Sequence, residues 1–338
     1  MTKKKSVLIT GGAGFIGSHL AEKLLAQGKK VFVLDNLSTG RKENITHLLA
    51  NSNFTFRKGD VLNKILVKKM VGESDEIYHL AAAVGVKTVM EKPLESWLVN
   101  IRGTENVLEA ALLRKIPVLI ASTSEIYGKN TKLPFGEDDD RVYGPVKNYR
   151  WGYAFSKGVD EFLSLAYFRE YSLPVRVVRF FNTIGPRQTG EYGMVVPRFV
   201  RQAIRDEDIT VHGTGKQTRS FGYVGDVADG VVKLMVHPKS AGEVYNLGSD
   251  EEITIENLAK KVIKLTKSNS KIVRVPHSKV YPEGFEDMQR RKPDLSKVKR
   301  LIGYKPNKEL DDVIKEVIEY EKISYGKKTL FRFNRHRA

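Results

Sequence analysis

Apolar runs and amphipathic stretches alternate along the first half of the chain. Ser6–Thr10 (SVLIT), Lys30–Asp35 (KVFVLD), Glu76–Ala82 (EIYHLAA), Ile116–Ala121 (IPVLIA) and Pro174–Phe180 (PVRVVRF) are short and almost continuously apolar, the pattern of strands buried on both faces. Phe54-Thr55-Phe56, ahead of Gly59-Asp60, is a further extended piece. Phe15–Gln27, Trp97–Leu113 and Glu161–Tyr171 instead carry apolar residues at helical spacing. Strands separated by helices predict an α/β fold with a doubly wound parallel sheet and right-handed connections. Ligands then belong at the carboxyl edge of the sheet, near the point where the strand order reverses. After about residue 182 the pattern loosens. Helices at Val196–Arg205, Val227–Met235 and Ile255–Leu265 mix with short extended pieces and glycine turns. This predicts a main domain over 1–181, a smaller interleaved lobe over 182–325 with segments that return to the first domain, and a basic tail over 326–338.

The turn between the first strand and the first helix reads TGGAGFIG, with Gly11, Gly14 and Gly17 at G-x-x-G-x-x-G spacing. The first glycine allows the tight turn, the second lets backbone approach a pyrophosphate, and the third lets helix and sheet pack closely. The helix N-terminus that follows offers unpaired N–H groups to the phosphates. The second strand ends at Asp35, whose carboxylate suits an adenosine ribose diol and repels a 2′-phosphate. NAD is therefore favoured over NADP, although Arg41 lies close behind. Phe15 and Ile16, Asn36, Asp60 and Val61, Leu80-Ala81-Ala82 and Asn100 complete the candidate cofactor contacts. Asp60 could equally cap its own turn.

Two further stretches carry chemistry. STSEIYG (Ser122–Gly128) follows an apolar strand and puts Thr123, Ser124 and Glu125 at its carboxyl end. Tyr153 and Lys157 form a Y-x-x-x-K pair, which shares one helical face. An ammonium beside a phenol stabilises the phenolate, so Tyr153 is predicted to titrate below its usual value of about 10. It would then remove a hydroxyl proton while hydride leaves carbon for NAD.

Composition narrows the field modestly. The 338 residues are 41% hydrophobic and 29% charged, ordinary for a globular protein. No apolar run is long enough to span a bilayer and no signal peptide is read. The chain has no cysteine, which excludes thiolate metal sites and fits a reducing cytoplasm. No other metal-ligand set is read. The net charge of +17 is scattered except at Gly326–Ala338, and without a nucleic-acid-binding motif it points to no specific nucleic acid.

With these motifs in view, the sequence resembles the extended short-chain dehydrogenase/reductases that act on nucleotide sugars. The resemblance runs from Lys5 to about Tyr320 and includes HLAA (His79–Ala82), Asn100-x-x-Gly103-Thr104, STSEIYG, YAFSK, RFFNTIGPR (Arg179–Arg187) and GTGKQTRSF (Gly213–Phe221). It implies a Rossmann-type domain with a C-terminal substrate lobe, recycled NAD, and transient oxidation at sugar C4. That oxidation opens epimerisation, 4,6-dehydration or decarboxylation. Thr123-Ser124-Glu125 is similar to the Thr-Ser-Glu of GDP-mannose 4,6-dehydratases and UDP-glucuronate decarboxylases. GPVKNYRWGYAFSK (Gly144–Lys157) and YPEGFEDMQRRKPDLSKVKRLIGYKP (Tyr281–Pro306) resemble the decarboxylases more closely. There the arginine of the RKP element acts at the active site, and it corresponds to Arg291. The implied function is decarboxylation of UDP-glucuronic acid to UDP-xylose or the 4-keto pentose. UDP-sugar 4-epimerase and then NDP-sugar 4,6-dehydratase are the alternatives. A non-enzymatic dinucleotide sensor would carry a broken tyrosine–lysine pair, and here both are present. Asn182, Arg187, Arg219, Tyr223 and Arg291 are the candidate contacts to an anionic UDP-sugar. The resemblance also implies a homodimer through a four-helix interface from Trp97–Leu113 and Tyr153–Tyr171, with Phe155, Val159, Phe162, Leu163 and Ala166 as its apolar stripe.

Overall fold

A computed structural model describes residues 4–85, 91–190, 194–281 and 285–335. Seven parallel strands form the central sheet: β1 (Ser6–Thr10), β2 (Lys30–Asp35), β3 (Phe54–Lys58), β4 (Glu76–His79), β5 (Val118–Thr123), β6 (Val175–Phe180) and β11 (Glu243–Leu247). Their order is β3-β2-β1-β4-β5-β6-β11, so the winding reverses between β1 and β4. Helices cover both faces, which is why the inner strands are apolar throughout rather than alternating. On one face α1 (Phe15–Ala26) and α6 (Val224–Val236) bury Leu20, Leu24, Val231 and Leu234 against Val7, Ile9 and Val33. On the other, Val107, Leu108 and Ala111 of α3 (Pro93–Leu112) pack on Leu8, Ile77, Val118 and Ile120. α4 (Gly152–Tyr171) lies beside α3. It unites the predicted Glu161–Tyr171 helix with the Tyr153–Lys157 pair.

The structure adds elements that the periodicity did not reveal. α2 (Lys64–Gly72) is short, and Asn63 caps it by accepting from Leu66 N. The strand expected over Glu76–Ala82 ends at His79, because Leu80–Ala83 leave the sheet at the switch point. Three two-stranded sheets and a separate core build the second lobe. β7 (Thr183–Ile184) pairs with β10 (Gly222–Tyr223), β8 (Ile209–His212) with β13 (Ile272–Val275), and β9 (Thr218–Ser220) with β12 (Glu252–Thr254). Their core draws on α5 (Val195–Ala203), α7 (Ile255–Thr266) and α9 (Leu310–Arg335). β11, α6 and α8 (Ser296–Ile302) return to the main sheet. The expected basic tail begins inside α9, whose backbone continues to Arg335, and residues 336–338 lie outside the described residues.

A buried charge network fixes the carboxyl ends of β5 and β6 under α4. Glu161 is fully buried, and its Oε1 accepts from Ser122 Oγ at 2.5 Å and Arg179 Nε at 2.9 Å. Its Oε2 accepts from Arg141 Nη2 at 2.7 Å and Arg179 Nη2 at 2.8 Å. Arg179 Nη1 also donates to Tyr127 Oη at 2.8 Å, and Tyr127 Oη donates to Asn246 Oδ1 on β11 at 2.7 Å. Removing the carboxylate strands a buried guanidinium, so Glu161→Ala is expected to cost about 3–5 kcal/mol of stability, read as a lower urea midpoint. Unchanged unfolding would show that Arg179 finds another partner.

Candidate functional site

The glycine turn has the shape a pyrophosphate needs. Gly11 has φ +71°, and a Cβ there would lie 2.7 Å from Ala81 N on the loop after β4. A Cβ on Gly17 would lie 2.4 Å from Gly11 O. Gly14 stands at the N-cap of α1 with no side-chain cap, and the first turn holds no acidic residue, so no side chain competes for the N–H groups of Phe15, Ile16 and Gly17. Asp35 ends β2, where its Oδ2 accepts from Ala13 N at 2.9 Å and its Oδ1 from Leu37 N at 2.8 Å. Burial raises its carboxyl. A Cβ on Gly40 would come within 2.8 Å of this carboxylate. These residues fit NAD: a cradle for the diphosphate and a carboxylate at the ribose position.

The remaining cofactor candidates separate by role. Asn36 Nδ2 donates to Asp60 Oδ2 at 2.8 Å, while Asp60 Oδ1 caps its own turn through Leu62 N at 2.8 Å. Val61 is buried, and a Cβ on Gly103 would meet its Cγ2 at 2.7 Å. Leu80, Ala81 and Ala82 are half-buried in the loop after β4. Asn100 is fully buried as a brace, accepting from Ala83 N at 2.8 Å and donating to Ser156 Oγ at 2.9 Å. Arg41 donates to Thr189 Oγ1 at 3.0 Å.

The reactive edge forms where β5 runs into a 3-10 turn over Ser124–Tyr127. Thr123 Oγ1 caps that turn through Glu125 N at 3.2 Å and also hydrogen-bonds the Tyr153 phenol. The expected low titration of Tyr153 is overturned. Burial pushes the phenol well above its usual value, and the negative charges of Glu125 and Asp160 add to that; only the Thr123 hydrogen bond opposes it. Burial is the main reason, and Asp160 adds to it. Its Oδ2 accepts from Lys157 Nζ at 2.6 Å, so the ammonium that was to favour the phenolate is already paired.

Glu125 sits among arginines. Its Oε2 accepts from Arg150 Nη1 at 2.6 Å, and its Oε1 lies 3.5 Å from Arg291 Nη1. Burial works to raise the carboxyl, but Arg150, Arg291 and Arg219 outweigh it and hold it below the usual carboxylate range. Arg291 is less well matched. Its Nη1 reaches Ser124 Oγ at 3.4 Å, its Nε has no partner among the described residues, and burial followed by the Arg219 charge lowers its guanidinium to about 10. Arg219 pairs with Asp287 Oδ1 at 2.7 Å. Arg150 is buried, with its guanidinium 5.3 Å from the Trp151 ring. Its signal was the Arg-Trp just ahead of Tyr153.

The structure thus gathers Thr123, Ser124, Glu125, Tyr153, Lys157, Arg219 and Arg291, and adds Arg150, Asp160 and Asp287. Asn182, Arg187 and Tyr223 have partners of their own. Asn182 Nδ2 donates to Ser220 O at 3.1 Å where the main sheet meets the second lobe. Arg187 Nη2 donates to Glu22 Oε1 on α1 at 2.5 Å. Tyr223 packs on the second-lobe core under Lys308, whose Nζ is 4.5 Å from the ring centroid.

The family described as GDP-mannose 4,6 dehydratase matches residues 8–317. The chain is similar to a UDP-N-acetyl-alpha-D-glucosaminuronate decarboxylase of Bacillus cytotoxicus, 46% identical over 94% of this chain and 98% of the relative. It is also similar to UDP-glucuronic acid decarboxylase 1 of Danio rerio, 39% identical over 94% of this chain and 72% of the relative. Among solved structures, a UDP-glucuronic acid 4-epimerase from Bacillus cereus in complex with UDP-glucuronic acid and NAD superposes with a TM-score of 0.85 and 30% identity, covering 95% of this chain and all of that one. The crowding at Gly17 carries a test: Gly17→Ala is expected to weaken NAD binding about tenfold or more, measured by calorimetry, because a Cβ against Gly11 O must shift the turn. Unchanged affinity would place the dinucleotide away from this turn.

Proposed function

The chain belongs to the GDP-mannose 4,6-dehydratase family, and on that premise we propose that it is an NAD-dependent nucleotide-sugar decarboxylase acting on a UDP-linked uronic acid. The observation that carries this reading is the under-satisfied Arg291 beside Ser124 and the ionised Glu125. A half-buried guanidinium whose Nε lacks a partner among the described residues suits a substrate carboxylate, which would supply that hydrogen bond. Held by the glycine turn and Asp35, bound NAD would supply a reversible hydride acceptor for sugar C4. Tyr153, hydrogen-bonded by Thr123, accepts the C4 hydroxyl proton. Oxidation at C4 makes the C5 carboxylate a β-keto acid. The bond between C5 and the carboxylate carbon then breaks, CO2 leaves, the electron pair is held as the C4 enolate, and a proton is added at C5. Glu125 is held ionised, so it orients Arg291 and bound water instead of acting as the acid. The substrate is UDP-glucuronic acid or its 2-acetamido counterpart.

The rival reading, 4-epimerisation of a UDP-uronic acid, draws on the same carboxylate-matching arginines and on the likeness to a 4-epimerase structure. Glu125 separates the two, because inverting C4 needs Tyr153 and hydride transfer but no group for C5.

A homodimer through α3 and α4 is part of the proposal. Val159, Phe162, Phe168 and Tyr171 are exposed along α4, Phe162 by 73%, with Leu94 and Leu113 at the ends of α3. Phe155 and Leu163 from the expected stripe turn instead into the subunit's own packing. No helix among the described residues is long and apolar enough to cross a membrane. We place the enzyme in the cytoplasm, where the lack of cysteine is no handicap.

With NAD and either UDP-uronic acid, the expected product has lost the mass of CO2, with the gas trapped quantitatively. An unchanged mass with inverted C4 would replace the decarboxylase reading with the epimerase one. Glu125→Gln is expected to lower kcat about 100-fold while C4 oxidation persists as nicotinamide absorbance. Loss of both together would show that Glu125 acts before the carboxylate leaves.

A further inference from the structure

Lys157 carries its charge into the protein interior. Its side chain is 2% exposed, and its Nζ donates to Asp160 Oδ2 at 2.6 Å, one helical turn along α4. Asp160 is itself fully buried, and its Oδ1 has no hydrogen-bond partner among the described residues. Two charges removed from water in this way must answer each other, since neither finds solvent. Asp160 lies outside the tyrosine–lysine spacing that defines the reactive pair, so that motif does not require it.

The groups around the pair come from several elements. Thr104 of α3 adjoins Asp160, and its Oγ1 lies 3.2 Å from His79 Nε2 on β4. The other ring nitrogen, His79 Nδ1, lies 2.7 Å from Thr10 Oγ1 on β1. Burial, then Lys157, holds this imidazole down at about 3, so it stays uncharged. Glu161, next on α4, is committed to Arg141 and Arg179. Glu125 faces Tyr153 from the 3-10 turn and is committed to Arg150. Lys157 is thus the cation that meets Asp160, and Asp160 is the acid that meets Lys157.

We propose that Asp160 is a positioning residue of the reactive site: it takes up the Lys157 ammonium, sets a negative charge toward Tyr153, and so fixes the pH range in which Tyr153 takes a proton. A free ammonium beside Tyr153 would favour tyrosinate at rest. An ammonium paired with a carboxylate is close to neutral seen from the phenol, and Tyr153 stays protonated until a further cationic or donor group binds beside it. The base is then armed by the loaded site and not by the lysine alone. This rests on Tyr153 being the base in the proposed reaction.

Asp160→Asn removes the negative charge, nearly keeps the shape, and leaves Lys157 a carbonyl to donate to. The NAD-loaded protein, with tyrosine 13C-labelled at Cζ and the Tyr153 signal assigned by comparison with Tyr153→Phe, is titrated by NMR. At a fixed alkaline pH the tyrosinate fraction at Tyr153 is expected to rise about tenfold in D160N, a shift of about one pH unit. The acid limb of kcat/KM with the UDP-uronic acid is expected to move to lower pH by the same amount, and D160E to restore both. Equal tyrosinate fractions and superimposable limbs in wild type and D160N, with only stability or kcat reduced, would overturn the proposal and leave Asp160 a mere neutraliser of a buried lysine. Should the Asn variant not fold, Asp160→Ser carries the same titration. The NMR readout uses no sugar, so a moved titration without turnover of any UDP-sugar would sink the proposed reaction and sustain the role of Asp160.

Discussion

Charge that leaves water must be answered at once by opposite charge, and the working edge of this molecule is built on that rule. Glu161 answers Arg179 and Arg141, Asp160 answers Lys157, and Glu125 answers Arg150. The Glu161 and Glu125 pairs join separate elements, while the Asp160 pair lies within α4. The Glu161 pair ties α4 to β5 and β6, and thereby fixes the helix that carries Tyr153 and Lys157 over the end of the sheet. Arg291 is matched more loosely, half-buried and 3.5 Å from Glu125, and in the proposed reaction it meets the sugar carboxylate.

The same rule explains the division of labour between the two lobes. The parallel sheet supplies a rigid edge, with the glycine turn after β1 and the reactive turn after β5. The second lobe supplies Arg219 on β9, and Asp287 and Arg291 on chain outside regular structure, all of them away from the main sheet. The proposed chemistry of C4 stays on the sheet, and the reading of the C5 substituent belongs to the lobe.

Much of this was legible in the chain. The apolar strands, the glycine spacing, Asp35 and the Tyr153–Lys157 pair follow from periodicity and from what short motifs require, and the structure puts each at the sheet edge. What the sequence hid was partnership. Nothing in Y-x-x-x-K announces that burial dominates the phenol or that Asp160 takes up the lysine, so the expected shift of Tyr153 had the wrong sign. Arg150 was passed over because a charged residue ahead of a helix usually faces solvent, whereas here Trp151 and Glu125 hold it inside. Arg187 pairs with Glu22, a partner too distant in sequence to be read from the chain.

β11 has a practical meaning beyond its place at the sheet edge. It comes late in the chain, pairs along its length with β6, and is reached only after the chain has passed through part of the second lobe. The C-terminal half is therefore no interchangeable cassette. A chimera joined near residue 182 would import a foreign edge strand along with foreign specificity, and its β6 would have to accept a partner it was not selected to match. Engineering of sugar preference in this scaffold is better done by changing β9 and the segment around Arg291 than by exchanging halves.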